Sequence, residues 1–163
     1  MARYQMKGLE EYARYLQQIG ANTPEICGKA VYAMAGVVAD EVRKNIKQLP
    51  TVTEAEALAA YKKKEMTQLT KAQKIGLERG FGISPMQNDN GYYNVKLGFD
   101  GYNNVRTRKY PQGQPNAMIA RSVESGSSVR AKNPFIRRAV NATQKQAIEK
   151  GREAADEEIA KIK

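Results

Sequence analysis

The side chains best able to do chemistry in this chain are basic residues and tyrosines clustered in its second half. Residues 91–140 contain nine Lys/Arg against two Asp/Glu, so seven of the ten net positive charges lie there. Basic groups interleaved with tyrosine can hold a nucleic-acid backbone and its bases, or an acidic protein surface. A merely solubilising excess of charge would give the same count. The residues that we expect to contact DNA or a partner are Arg106, Arg108, Lys109, Tyr110, Arg130 and Lys132.

The sequence contains few of the residues and motifs on which catalysis usually depends. The chain has no histidine, which removes the commonest general base and the activating partner of serine and cysteine nucleophiles. Its only cysteine, Cys27, can form neither an internal disulfide nor a zinc site. Most acidic residues stand in runs with helical spacing, and phosphate-binding, dinucleotide and calcium motifs are absent. We therefore expect no enzyme, no catalytic residue, no cofactor and no metal site.

Two helices are predicted to open the chain. The first covers residues 7–19 and stops at Gly20, and the second begins at Thr23 as N-cap and runs to about residue 48. Residues 30–39 are apolar on nearly all sides, which predicts a helix sandwiched in the core. Small residues there, including Gly36, would allow another element to approach closely.

Residues 53–79 are predicted to form a helical insertion of two shorter helices. The spacing of a capping box occurs twice, at Thr53 with Glu56 and at Thr70 with Gln73. In a capping box, the side chain of each residue accepts a hydrogen bond from the backbone N–H of the other. The three lysines between the helices, residues 62–64, are expected to be a solvated face.

From residue 81 onward, apolar residues recur at every second position, which predicts strands. Phe81 and Ile83 share a face, Asn90-Gly91 is a hairpin turn, and residues 92–99 alternate as one half-buried strand. Residues 102–116 form a polar, basic loop of a length that is commonly functional or mobile.

A short helix over residues 117–124 and a long C-terminal helix complete the chain. Asn133 is the predicted N-cap of the long helix, with Pro134 at its first position. The predicted fold is therefore a single α+β domain, residues 1–163, in which a small antiparallel β-sheet packs against two or three long α-helices.

The order of these elements resembles the tail-completion, or head–tail joining, proteins of long-tailed double-stranded DNA bacteriophages. That family typically has an opening Gly-Leu helix, a long alanine-rich helix, a Val/Tyr-Glu-x-Gly-Ser/Thr segment, and Pro-Phe-Ile/Leu-Arg before a final helix. The matching stretches here are residues 8–12, 30–50, 119–128 and 133–140, and residues 81–86 and 94–102 resemble members from phages of Gram-positive hosts. Two departures are the longer residues 53–79 and Asn133, where histidine or arginine is frequent.

The resemblance implies a structural virion protein. Several copies, with six expected, would form a ring at the head-proximal end of the tail, at the head–tail joint of a virion assembled in the host bacterial cytoplasm. The implied partners are other copies of the chain, the head-completion or stopper protein, the tail tube or tail terminator protein, and genomic DNA in the lumen. Glu124 of the motif is expected to pair with Arg121 or Arg137 in the same chain, or with an arginine of a neighbouring copy.

The alternative function is a basic nucleic-acid-binding protein. Membrane association is not expected, because residues 30–39, the longest strongly apolar stretch, are about half the length of a membrane span. Residues 1–5 lack the apolar segment of a secretory signal.

Overall fold

The computed structural model describes residues 8–162 and confirms the predicted α+β class, with a long C-terminal helix. The predicted start of the first helix at Lys7 and the N-terminal residues 1–5 lie outside the described residues. The elements are α1 Leu9–Ala21, α2 Thr23–Gln48, β1 Thr51–Val52, α3 Glu54–Lys63, β2 Leu69–Thr70, α4 Lys71–Gly80, β3 Phe81–Ile83, β4 Gln87–Asp89, β5 Tyr92–Asn94, β6 Leu97–Phe99, α5 Asn116–Ser125 and α6 Phe135–Ala160.

Two 26-residue helices, α2 and α6, pack antiparallel along their length. Near one end Lys29 Nζ lies 3.8 Å from Glu158 Oε1, and near the other Asn45 Nδ2 donates to the Phe135 carbonyl at 2.9 Å. Gly151 allows the closest approach, because a Cβ at that position would lie 2.4 Å from Met34 Cγ. The pair forms a rod of about 39 Å, at 1.5 Å per residue.

The prediction of close packing at Gly36 is wrong. Nothing lies within 4 Å of the place where its Cβ would be. The apolar centre of α2 is not sandwiched on all sides either, since Tyr32 is exposed and the α6 seam buries only part of the helix, including Ala35 and Ala39. Alanine-rich composition indicated a buried helix but not which side would be left open.

The hydrophobic core lies where α2 ends and α6 begins. Val42, Ile46, Leu77 and Phe135 are its largest fully buried side chains, and α4 and α5 close it from the sides. Phe99 contacts both Phe135, at 6.1 Å between ring centroids in an edge-on arrangement, and Phe81 at 5.1 Å. Geometries of this kind are favoured by the ring quadrupoles.

The strands form three two-stranded pairs, so the single predicted sheet is divided. The antiparallel pairs are β3 with β6 and the hairpin β4–β5, and β1 pairs in parallel with β2. The predicted strand over residues 92–99 breaks at residues 95–96 because its two halves pair with different partners. The turn prediction is confirmed, since Asn90 and Gly91 both have positive φ.

Two predicted local features behave differently at the first helix. Gly20 does not stop it, because α1 continues to Ala21 and only Asn22 separates it from α2. Thr23 lies inside α2, where its hydroxyl donates to the Ile19 carbonyl at 3.2 Å, so it is not the N-cap. By contrast, both predicted capping boxes, at Thr53 and at Thr70, are formed.

Candidate interaction surfaces

The loop of residues 102–116 is closed at its base. Asn103 N donates to the Gln114 carbonyl at 3.0 Å, and Asn116 N donates to the Gly101 carbonyl at 3.0 Å. Gly113 has φ +113 and rests on Asn103, whose carbonyl oxygen would lie 2.0 Å from any Cβ there. The base is therefore part of the folded domain and is not a free coil.

The apex of this loop gathers four of the predicted contact residues. Thr107 and Tyr110 exchange backbone hydrogen bonds of 3.1 and 3.0 Å, which makes a tight turn with Arg108 and Lys109 at its apex. Lys109 Nζ lies 5.5 Å from the centre of the Tyr110 ring. We name the set Arg106, Arg108, Lys109 and Tyr110 the basic tip.

The three cations of the basic tip are exposed. Within residues 8–162, the ion pairs found all lie between other residues. Their charge is therefore directed at solvent, where an anionic partner can reach it.

Arg130 is not part of this surface. Arg130 is only 7% exposed. Its Nη1 donates to Ser122 Oγ at 2.6 Å, and its Nη2 donates to Gln73 Oε1 at 3.0 Å. Gln73 in turn donates to Gln114 Oε1 at 2.7 Å. Burial lowers the pKa of Arg130, although an arginine keeps its proton at neutral pH. Arg130 thus ties the base of the basic loop to α4 and α5.

Lys132 also stands apart from the basic tip. It is exposed in the segment that joins α5 to α6, against Gly126, whose φ is +79. A Cβ on Gly126 would lie 3.3 Å from Lys132 N, so the glycine allows the chain to turn back on itself here.

Among the described residues, Glu124 binds backbone amides and forms no ion pair with Arg121 or Arg137; pairing with an arginine of a neighbouring copy stays a prediction. Its carboxylate accepts from Ile136 N at 2.8 Å and from Arg137 N at 3.1 Å, the unbonded donors of the first turn of α6. The predicted N-cap, Asn133, accepts instead from Arg138 Nη2 at 2.6 Å, and Pro134 occupies the cap position without a side-chain bond. A carboxylate at the end of α5 therefore caps α6.

Two further surfaces are apolar. The spacing of Leu9, Tyr12 and Leu16 predicts one face of the first helix, and the second surface, at α3, was not predicted. On α1, Leu9, Tyr12 and Leu16 are 61%, 60% and 49% exposed; we name them the α1 face. We name Leu58, Tyr61 and Met66, at 55%, 69% and 64%, the α3 face. An open groove of about 290 Å³ shares only Met66 with the α3 face; its other lining residues are Val52, Glu56, Ala60, Thr67, Gln68 and Ala131. Exposed apolar residues that form a patch mark contact sites, which makes these two faces candidates for binding.

The part of the chain that the structure describes contains no group of three or more His, Cys, Asp or Glu that could hold a metal ion. None of its helices is both long and apolar enough to cross a membrane. Comparison with known proteins found no matching protein-family model, no matching curated protein and no matching solved structure. The geometry of the described residues thus offers surfaces for binding, one basic and two apolar.

Proposed function

We propose that this chain is a structural subunit of a bacteriophage head–tail connector. Several copies, six by the resemblance, form a ring at the head-proximal end of the tail, between the head stopper and the tail tube or its terminator. Genomic DNA passes through the lumen. The chain acts by the shape and charge of the surfaces it presents, and carries out no catalytic step.

The observation that carries this proposal is the pair of exposed apolar faces at opposite ends of the α2–α6 rod. The α1 face precedes α2 in the chain and the α3 face follows it, so the 26 residues of α2, about 39 Å of helix, stand between them in the chain. A subunit with contact surfaces at both ends of a stiff body can join neighbours on two sides, as ring assembly requires.

The family motif also acquires a structural role. Glu124 caps α6, Gly126 permits the tight return of the chain, and Phe135 is fully buried at the start of α6. These three residues join α5 and α6 firmly, which supports the resemblance on physical grounds: the motif builds the junction and performs no chemistry.

Deletion of the reading frame from a phage genome that encodes the chain tests the function. Electron microscopy of the lysate is expected to show DNA-filled heads and separate finished tails, and a plasmid copy of the gene should restore joined particles. Normal numbers of infectious virions without the gene would refute the proposal.

The basic tip favours a second candidate, nucleic-acid binding. Because phosphate binding releases counterions, affinity for duplex DNA should fall steeply with salt. Replacement of Arg106, Arg108 and Lys109 by alanine should lower the slope of log affinity against log salt by up to about three. The matched control removes Lys71, Arg79 and Lys145, three exposed cations outside the basic tip and the two apolar faces, and changes net charge equally. No binding of the wild-type chain at low salt, or equal effects of the two variants, would dismiss the tip as a DNA site.

Because the loop base is held in the free chain, ordering on assembly is expected only near the basic tip. Amide hydrogen exchange at residues 106–110 should slow in the assembled protein, while exchange at Asn103 and Asn116 should stay slow in both states. Unchanged exchange at the tip would remove it from the assembled contacts.

A further inference from the structure

We propose that the α1 face of one copy docks antiparallel on the α3 face of the next copy, which makes the subunit contact head-to-tail. The assignment rests on the proposed ring-forming function and names the surfaces that would form the ring. Its occupant is a second copy of this chain.

The other described residues of the chain, 22–162, leave the α1 helix largely uncovered. No residue of α1 is buried, and its half-buried side chains are Tyr15 and Ile19, on the edge that meets the rest of the molecule. A 13-residue helix with so little packing is marginal in water, because helix stability in proteins comes mainly from burial of an apolar face. A partner that covers Leu9, Tyr12 and Leu16 would supply that burial.

The α3 face of the same chain is out of reach. The α1 helix is about 20 Å long and is joined directly to α2, whereas α3 begins beyond the far end of α2, about 39 Å away. Folding α1 back along α2 would cover only half of that distance. Both faces are exposed in the folded chain, so contact between them in this conformation requires a second copy.

Charge favours the antiparallel arrangement. α1 carries Glu10 and Glu11 in its first turn, and α3 ends with Lys62 and Lys63, followed by Lys64. Antiparallel packing places the acidic start of α1 beside the basic end of α3, and it also opposes the two helix dipoles.

Such a contact uses two different surfaces, so each added copy binds through one of its faces and leaves the other face free for the next copy. It closes into a ring when the rotation per subunit divides a full turn, and otherwise extends as a filament.

The test uses two full-length variants, Tyr12→Asp and Tyr61→Asp, each of which places a charge on one exposed face. In sedimentation velocity up to about 1 mM, a range that detects even weak association, the wild-type chain should form species larger than a dimer. Each variant alone should be monomeric. An equimolar mixture should give dimers and nothing larger, because each variant keeps one intact face. Val140→Asp, at a 42% exposed position on α6, is the matched control and should associate like wild type.

An exchange of charges between α1 and α3 provides an independent test in case Tyr12→Asp or Tyr61→Asp disturbs its helix. Glu11→Lys should weaken association, and so should Lys62→Glu, while the chain carrying both changes should recover it. Circular dichroism melts check that every variant is folded.

Four results would overturn the assignment: a wild-type chain that is monomeric at about 1 mM, Tyr61→Asp that dimerises alone through α1, Val140→Asp that abolishes association, or a charge exchange without recovery. Because these measurements need no other virion protein, their failure would leave the gene-deletion result standing. A deletion without phenotype would instead remove the connector function whatever the self-association.

Discussion

Substitution of Gly151 by alanine tests the register in which α2 and α6 pack. A Cβ at Gly151 would lie 2.4 Å from Met34 Cγ and 2.7 Å from Met34 Sδ, with the Ala30 carbonyl at 3.4 Å. Contacts this short force the methionine, or the helix itself, to move. Forced changes of this kind in packed interiors cost about 1–3 kcal/mol.

The control is Gly36→Ala, at an open position in the middle of α2. Both substitutions gain about 1 kcal/mol of helix propensity. That gain cancels in the comparison, so Gly36→Ala should stabilise the chain while Gly151→Ala is less stable than Gly36→Ala by about 1–3 kcal/mol. The difference isolates the cost of the Met34 contact.

A double mutant then identifies the atoms responsible. Met34→Ala alone leaves a cavity beside Gly151 and destabilises the chain, but in the Gly151→Ala background it also removes the atoms that clash. We expect a favourable coupling of about 0.5–3 kcal/mol between the two sites, the range seen for residues in contact.

The assay is urea unfolding followed by far-ultraviolet circular dichroism, with near-ultraviolet signals used to check that the transition has two states. Two results would refute the described register of the helix pair. One is an equal free energy of unfolding for Gly151→Ala and Gly36→Ala, and the other is additivity of the effects of Gly151→Ala and Met34→Ala.

Three further predictions concern caps and glycine contacts. Hydrogen bonds from the Thr53 backbone and hydroxyl lower the pKa of Glu56, so its cap stabilises the fold above the ordinary glutamate pKa and is lost as pH falls through the lowered value. Between about pH 7 and pH 3, the urea midpoint of Glu56→Gln should therefore fall by less than the wild-type midpoint does. Parallel curves of midpoint against pH for the two proteins would contradict this. Glu124→Ala should cost about 1 kcal/mol in urea unfolding by uncapping α6, and no loss would show that the cap is dispensable. Gly76→Ala should cost about 1–3 kcal/mol, since its Cβ would lie 2.5 Å from Asn116 Oδ1; the control Glu78→Ala, on the exposed side of α4, should be near neutral.

Several features that depend on neighbouring residues were predictable from the sequence, although the Gly20 stop and the Thr23 and Asn133 caps were not. The Thr53 and Thr70 capping boxes and the Asn90-Gly91 turn are set within a few residues, and all three are present. The long helices were predicted for the same reason, because their apolar spacing is repeated over many turns.

Features that depend on a distant partner were not predictable. Gly36 and Gly151 are both helical glycines, and only the position of Met34 shows which of them marks a close approach. The break within residues 92–99 likewise follows from strand partners that alternation alone does not identify.

The candidate site was predictable in part. The charge density at Arg106, Arg108 and Lys109 located an exposed tip correctly, but Arg130 belongs to a buried network because Ser122 and Gln73 satisfy part of its guanidinium. Buried arginines are rare, so composition argues against that placement. Within the chain, Glu124 was predicted to pair with Arg121 or Arg137, whereas the helix N-terminus twelve residues away binds it.

Electron cryomicroscopy of intact virions that encode this chain tests the central claim most directly. We expect a closed ring between head and tail in which every subunit shows the antiparallel α2–α6 pair, with the basic tip toward an acidic partner or the DNA. A fully resolved neck in which no density fits this chain would contradict the account.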